Sequence, residues 1–128
     1  MYRVVIADDE VLIRMYIREI LENNGYEVVG EAEDGLDAIA VCRQKKPDFV
    51  IMDINMPVMD GFEVLALMNR NHWIEDTPVI MISSEDGAAY VRRAYEMGAS
   101  DYISRPFDAQ VVHQRVFNTI KLYAKQRH

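Results

Sequence analysis

The sequence predicts an α/β fold in which a parallel sheet is covered by helices on both faces. Short runs rich in β-branched residues alternate along the chain with longer segments that repeat apolar residues at helical spacing. The clearest runs, residues 4–7 and 49–52, are apolar without interruption, which is typical of strands buried in a parallel sheet. The chain has 128 residues, the size of one ordinary domain, so we expect residues 1–128 to form a single domain.

The first half of the chain predicts two strand–helix units. Residues 3–7 form the first predicted strand, and residues 11–24 follow as a helix that stops at Gly25. A second strand is predicted at residues 27–31 and a second helix at residues 35–45. Apolar residues at helical spacing define one face of each helix: Ile13, Ile17, Ile20 and Leu21 in the first, and Leu36, Ile39 and Ala40 in the second.

The second half of the chain predicts three more units. Pro47 precedes a third strand at residues 49–53, and Pro78 opens a fourth. Gly98 stops the helix that follows the fourth strand. The remaining segments are a helix from about residue 61 to 70, the fourth strand at 79–82, a helix from about 87 to 97, a short strand at 101–103 and a last helix from about 109 to 126.

Five such units predict a flavodoxin-like, doubly wound (βα)5 fold with the strand order 2-1-3-4-5. Ligands of such sheets bind beyond the carboxyl ends of the strands, at the switch point between the first and third strands. Asp8 and Asp9 follow the first strand, and Asp53 ends the third. Adjacent carboxylates repel unless a cation intervenes, and carboxylates with a phosphate are a usual arrangement for Mg²⁺. The residues therefore predict a magnesium and phosphoryl site.

Composition excludes several classes of protein. The net charge of −7 argues against nucleic-acid binding by this domain alone. No apolar run approaches the roughly 18 residues of a membrane span, so we expect no membrane segment. The single cysteine, Cys42, excludes an internal disulfide, and with no signal peptide it favours the cytoplasm.

A set of motifs then points to a family. It comprises the acidic pair Asp8-Asp9, the acceptor loop from Asp53 through Met56-Pro57 to Gly61, the hydroxyl of Ser83, and Arg105-Pro106-Phe107. In this order and spacing the chain resembles the receiver domain of two-component response regulators over nearly its whole length. The resemblance implies a signalling phosphoprotein that takes a phosphoryl group from the phosphohistidine of a sensor histidine kinase. Such a protein catalyses only its own phosphorylation and dephosphorylation, so we expect no enzyme activity on other substrates.

The resemblance also assigns roles to individual residues. It makes Asp53 the phosphoacceptor, whose carboxylate attacks phosphorus in line. It implies that Mg²⁺, or alternatively Mn²⁺, is bound directly by Asp9 and Asp53, through water by Asp8, and by the backbone carbonyl of Asn55. In the transition state, metal and nearby donors neutralise the charge on the phosphoryl oxygens.

Four more positions receive roles by resemblance. Ser83 hydrogen-bonds a phosphoryl oxygen, and Tyr102 swings inward when Ser83 moves. Asn55 and Glu85 tune the lifetime of the phosphoryl group. Arg105 departs from the family, which usually has lysine there; arginine is planar and always charged, and it either holds the phosphoryl group or points away from it. A cis bond between Arg105 and Pro106 fits the family pattern.

Partners are also implied by the resemblance. Beyond the kinase, we expect an output domain or a downstream protein, and the chain is either a stand-alone receiver or part of a longer regulator. The expected partner face, which could also form a homodimer, is made by the fourth helix, fifth strand and fifth helix. It includes Tyr90, Arg93, Tyr95 and Tyr102.

Two other functions remain open. A degenerate receiver that acts as a phosphorylation-independent docking module is motivated by Arg105. A small phosphatase or nucleotide-binding protein is disfavoured because no phosphate-binding glycine loop is present. The Asp-x-Asp pattern of aspartate-nucleophile phosphatases is also absent, since Asn55 stands two residues after Asp53.

Overall fold

The computed structural model describes residues 1–126. Its strands are β1 (Arg3–Ala7), β2 (Glu27–Ala32), β3 (Phe49–Met52), β4 (Val79–Ser83) and β5 (Asp101–Ser104). Its helices are α1 (Val11–Asn23), α2 (Gly35–Lys45), α3 (Gly61–Arg70), α4 (Ala88–Glu96) and α5 (Ala109–Gln126). The strands pair in parallel in the order β2-β1-β3-β4-β5, which confirms the predicted flavodoxin-like fold.

Two apolar cores lie on opposite faces of the sheet. Because side chains alternate along a strand, β3 sends Val50 and Met52 to one face and Phe49 and Ile51 to the other. The first core contains side chains of α2, α3 and α4, and the second contains those of α1 and α5. This double cover explains why the central strands are apolar without interruption.

The predicted boundaries hold to within one or two residues, with two informative differences. β3 ends at Met52, so Asp53 lies beyond the strand, whereas β4 includes Ser83. Leu36, one of the apolar residues predicted at helical spacing on α2, has a side chain that is 60% exposed. The buried residue at this end of α2 is instead Gly35, where an added Cβ would lie 2.0 Å from the carbonyl oxygen of Met59.

A short 3-10 turn at Trp73–Glu75 was not predicted; its three residues are too few to produce a periodic pattern. Trp73 packs against the first core from its edge. Among residues 1–126, no helix combines the length and the apolar character that crossing a membrane requires.

The start of α3 fixes the loop that carries Asp53. Asp60 accepts a hydrogen bond from the Glu63 amide (2.8 Å), and the Glu63 carboxylate accepts one from the Asp60 amide (3.3 Å), which forms a capping box. The amide of Gly61 donates to the carbonyl of Ile54 at 2.7 Å. An added Cβ at Gly61 would lie 2.2 Å from the carbonyl oxygen of Asp53, so the loop and the helix can approach this closely only at a glycine.

We expect Gly61→Ala to destabilise the domain by about 2–3 kcal/mol, because the new methyl group must push backbone atoms apart. Gly87→Ala is the matched control, since a Cβ there would make an ordinary 3.6 Å contact with Tyr90. We expect this control to change stability by no more than about 0.5 kcal/mol. Urea unfolding followed by the fluorescence of Trp73 measures both variants. Equal midpoints would contradict the close approach described at Gly61.

Candidate functional site

Three carboxylates meet at the carboxyl edge of the sheet. Asp8 follows β1 and Asp53 follows β3, and these strands are neighbours in which Ala7 pairs with Met52. The amide of Asp53 continues the ladder by donating to the carbonyl of Ala7 at 2.9 Å. One carboxylate oxygen from each of Asp8, Asp9 and Asp53 lies within 4.8 Å of the others. Asp8 and Asp53 are buried, with 1% and 4% of their surface exposed, whereas Asp9 faces solvent.

Burial makes the charged forms of two of these acids unfavourable. It raises the pKa of Asp53 to about 6, against the lowering effect of the Arg105 charge and with a further raising effect from Asp8. Burial also raises the pKa of Asp8, although the Glu10 amide and Arg105 oppose the shift. Backbone amides give partial compensation, since Ile54 donates to Asp53 Oδ1 at 2.8 Å and Glu10 donates to Asp8 Oδ1 at 2.9 Å. For both acids, the cost of removing the charged carboxylate from water therefore outweighs the stabilisation by the amides and Arg105.

Arg105 lies inside this cluster and does not point away from it. Its Nη2 donates to Asp8 Oδ2 and lies 3.5 Å from Asp53 Oδ2, and Nη1 lies 3.9 Å from a carboxylate oxygen of Glu10. The side chain is 13% exposed, and its buried Nε has no hydrogen-bond partner among the described residues. The bond from Arg105 to Pro106 is cis, as the family pattern suggested. Arg105 is thus an internal counter-ion for two of the acids, with one donor unused.

Ser83 and Tyr102 are joined by Glu85, which lies two residues beyond the end of β4. Ser83 is fully buried, and its Oγ accepts a hydrogen bond from the Glu85 amide at 3.2 Å. The Tyr102 ring is buried, and its hydroxyl donates to the carbonyl of Glu85. The Glu85 carboxylate accepts from Asn55 Nδ2 at 3.4 Å. The four positions singled out beside the acids and Arg105 therefore form one connected group around Glu85.

Sequence reasoning missed Arg14, whose side chain contacts the backbone of the acidic pair. It is on α1 and only 8% exposed, and its Nη1 donates to the backbone carbonyl of Asp8 at 2.6 Å. A signal was available, because Arg14 stands three and seven residues before Ile17 and Leu21, on the buried side of an amphipathic helix. A cation at such a position needs buried partners.

Not all residues of the expected partner face are exposed to solvent. Tyr90 and Tyr95 are 41% and 46% exposed, and Arg93 is exposed with its guanidinium 4.3 Å from the ring of Phe62. Tyr102 is buried, so its side chain does not belong to the exposed face in this structure. Asp101 accepts hydrogen bonds from the Tyr95 hydroxyl at 3.0 Å and from Arg115 at 2.7 Å. These bonds connect α4, β5 and α5.

The donor set of the acidic cluster suits a hard divalent cation. Asp8, Asp9 and Asp53 offer oxygen ligands only, and one of them is exposed to solvent. Mg²⁺ prefers carboxylates, water and phosphate oxygens over nitrogen or sulfur. The raised pKa of Asp53 indicates that added positive charge would stabilise its ionised form. The arrangement can therefore hold a cation beside a buried carboxylate.

Comparisons with known proteins agree with this geometry. The family model described as the response regulator receiver domain matches residues 4–117. The chemotaxis protein CheY of Bacillus subtilis is 39% identical over 119 residues, which cover 93% of this chain and 98% of that protein. The transcriptional regulatory protein PdtaR of Mycobacterium tuberculosis is 40% identical over 82% of this chain, and the matched region spans 50% of that longer protein.

A solved structure gives the same result. The chain of a CheX–CheY complex with BeF3 and Mg²⁺ from Borrelia burgdorferi superposes with a TM-score of 0.85 at 31% identity, covering 91% of this chain and 87% of that chain. The motifs, the strand order, the acidic cluster and the match over residues 4–117 agree with one another. The chain belongs to the receiver domains of two-component response regulators.

Proposed function

We propose that this domain is the phosphoacceptor of a two-component phosphorelay, in which Asp53 takes a phosphoryl group from the phosphohistidine of a sensor histidine kinase in a Mg²⁺-dependent step. One observation carries the proposal. The buried Asp53 carboxylate shares one sheet edge with two further acids and with a guanidinium 3.5 Å from its Oδ2. A further support is the Borrelia CheY structure, whose complex contains BeF3 and Mg²⁺.

The proposed phosphoryl transfer forms one bond to phosphorus and breaks another. A carboxylate oxygen of Asp53 attacks phosphorus, the phosphorus–nitrogen bond breaks, and the imidazole leaves with the electron pair, so that an acyl phosphate forms on Asp53. Mg²⁺ held by Asp9, Asp53 and the Asn55 carbonyl, with Asp8 acting through water, would neutralise charge on the phosphoryl oxygens. The chain itself supplies position: the Ile54 amide and the strand ladder hold the nucleophile in place before the donor arrives.

Arg105 takes the role that lysine has in most of the family. It already lies against Asp8 and Asp53, and its Nη2 is 3.5 Å from Asp53 Oδ2, within reach of a group attached to that carboxylate. A guanidinium can hold two oxygens of a phosphoryl group at once, which the point charge of lysine does not do. Ser83 Oγ, at the end of the neighbouring strand β4, supplies a second hydrogen bond to the phosphoryl group.

The remaining assignments are part of the same proposal. Ser83 and Tyr102 act as the switch, and Asn55 and Glu85 tune the phosphoryl lifetime from the mouth of the site. The switch changes the face of α4, β5 and α5, which binds an output domain, a downstream protein or a second copy of the chain. Residues 1–128 form one cytoplasmic receiver domain, either alone or within a longer regulator, and the domain acts on no substrate except its own acceptor.

A docking module that no longer uses phosphorylation is the second candidate, and the arginine at position 105 is the observation that favours it. The guanidinium satisfies part of the charge of Asp8 and Asp53 without any metal. If that pairing is permanent, the acids are a structural ion cluster. Whether Asp53 accepts a phosphoryl group separates the two candidates.

Incubation with Mg²⁺ and phosphoramidate, followed by intact-protein mass spectrometry, tests the proposal. We expect one phosphoryl adduct on the wild type and none on Asp53→Asn, because the amide is not a nucleophile. Omission of Mg²⁺ should remove the adduct from the wild type as well.

Arg105→Lys tests whether the arginine at this position supports phosphorylation of Asp53. Adducts on both the wild type and Arg105→Lys would show that arginine serves at this position. An adduct on Arg105→Lys alone would show that arginine disables the acceptor, and the docking module would then be the better description. Adducts on neither protein would reject the phosphoacceptor function.

The raised pKa of Asp53 predicts how stability depends on pH without metal. Folded Asp53, with a pKa of about 6, holds its proton more tightly than the unfolded chain does. Stability is therefore lost as the pH rises from about 4 to about 6, and the loss is complete above that window. In EDTA at pH 7.5 we expect Asp53→Asn to be more stable than the wild type by about 3 kcal/mol, with the difference vanishing near pH 4.

Asp86→Asn is the control, since it removes one negative charge from an exposed position in the loop before α4. Thermal unfolding at several pH values measures the wild type and both variants. A stabilisation of equal size in both variants would mean that overall charge, and not the burial of Asp53, is responsible.

A further inference from the structure

Arg14 is a buried cation in direct contact with the backbone of the acidic pair. Its side chain crosses from α1 to the end of β1, where Nη1 donates to the carbonyl of Asp8 at 2.6 Å. Nε donates to a carboxylate oxygen of Glu31 at 3.1 Å, and Nη2 lies 3.4 Å from Glu33. All three nitrogens of the guanidinium are thus engaged by separate groups.

The contact with Asp8 controls a particular peptide unit. The carbonyl of Asp8 and the amide of Asp9 belong to the same planar group, so a donor that fixes the carbonyl also fixes the direction in which the chain enters Asp9. The carboxylate of Asp8 has other anchors, from the Glu10 amide and Arg105. Asp9 faces solvent, so packing does not hold its side chain in place.

The two acidic partners of Arg14 orient its guanidinium towards the peptide unit between Asp8 and Asp9. Glu31 lies in β2, and Glu33 follows that strand, beside the end of β1. The glutamates hold the guanidinium from the β2 side, so its third nitrogen points to the turn after β1. Arg18 also pairs with Glu31, but it is 40% exposed, and no contact between its side chain and the acidic pair is found in the described part of the chain.

We propose that Arg14 is a positioning residue for the metal site, which orients the peptide between Asp8 and Asp9 so that the exposed Asp9 carboxylate faces Asp53. The proposal rests on the proposed function, since it assigns Arg14 to the same Mg²⁺ site. Outer partners of this kind orient metal ligands, and their loss typically lowers metal affinity about 10- to 100-fold.

A test must separate two effects of Arg14 on Mg²⁺ affinity: the effect of its positive charge and the effect of the hydrogen bonds that its guanidinium makes. Removal of a cation near three acids would by itself strengthen Mg²⁺ binding. Arg14→Lys keeps the charge but replaces the fork with a single ammonium group, which cannot bond Asp8, Glu31 and Glu33 in their present directions. We therefore expect Arg14→Lys to weaken Mg²⁺ binding about tenfold.

Isothermal titration of the metal-free domain with MgCl2 measures this effect on the wild type, Arg14→Lys and Arg18→Lys. Arg18→Lys alters the same Glu31 network without touching Asp8, so its Mg²⁺ affinity should stay within about twofold of the wild type. Circular dichroism and thermal unfolding show that each variant is folded at the titration temperature. A tenfold loss in Arg14→Lys with none in Arg18→Lys supports the positioning role.

Arg14→Met provides a second route, because Glu31 and Glu33 are 30% and 71% exposed and can be hydrated when the cation is removed. Loss of one partner of a buried pair can be strongly destabilising, so the same circular dichroism and thermal unfolding controls apply to this variant. Weaker Mg²⁺ binding by this variant, against the direction expected from its charge, would support the proposal strongly. Wild-type affinity in Arg14→Lys together with equal or tighter binding in Arg14→Met would overturn it while leaving the proposed function intact. Failure of the wild type itself to bind Mg²⁺ would reject the metal site and the role of Arg14 with it.

Discussion

The close approach of Asp8, Asp9 and Asp53 at one sheet edge is the constraint on which the rest of the site depends. Two of these acids are almost wholly buried, so water cannot screen their repulsion. Arg105 balances part of the charge, yet burial still raises the pKa of both buried acids. The fold thus keeps a carboxylate in a state that additional positive charge would stabilise, and this is what makes the edge suitable for a cation.

The architecture holds Asp53 in place against this repulsion. The Asp53 loop leaves the central strand β3 and is pressed against the start of α3, where only Gly61 allows the approach. On its other side the loop meets the start of α2 at Gly35. Between these contacts the chain makes a tight turn in which the Met59 amide donates to the Pro57 carbonyl at 2.7 Å and Val58 has a φ of 69°. A β-branched residue rarely adopts that conformation, so the surrounding contacts must impose it.

Much of this could be predicted from the sequence because it depends on local patterns. Strand and helix periodicity predicted every regular element except the short 3-10 turn, and the strand ends placed Asp8, Asp9 and Asp53 together. The misses are contacts between distant segments. Leu36 fits a helical face but lies where Gly35 meets the Met59 loop, which leaves its side chain outside. Arg14 and its partners Glu31 and Glu33 are joined only by the folded sheet, and charged residues of a helix usually face solvent.

The group around Glu85 gives a physical route from the acceptor to the α4 side of the molecule. Glu85 bonds Ser83 through its amide and Tyr102 through its carbonyl, which belong to the two peptide units on either side of its Cα, while its carboxylate accepts from Asn55 at the mouth of the site. In the proposed function, a phosphoryl group on Asp53 adds negative charge near that carboxylate and offers Ser83 a new acceptor. Repulsion of the Glu85 side chain and movement of Ser83 both act on this one residue, whose carbonyl holds the Tyr102 hydroxyl. Since close contacts with α2 and α3 hold the Asp53 loop in place, the proposed function predicts that the response begins in the segment between β4 and α4.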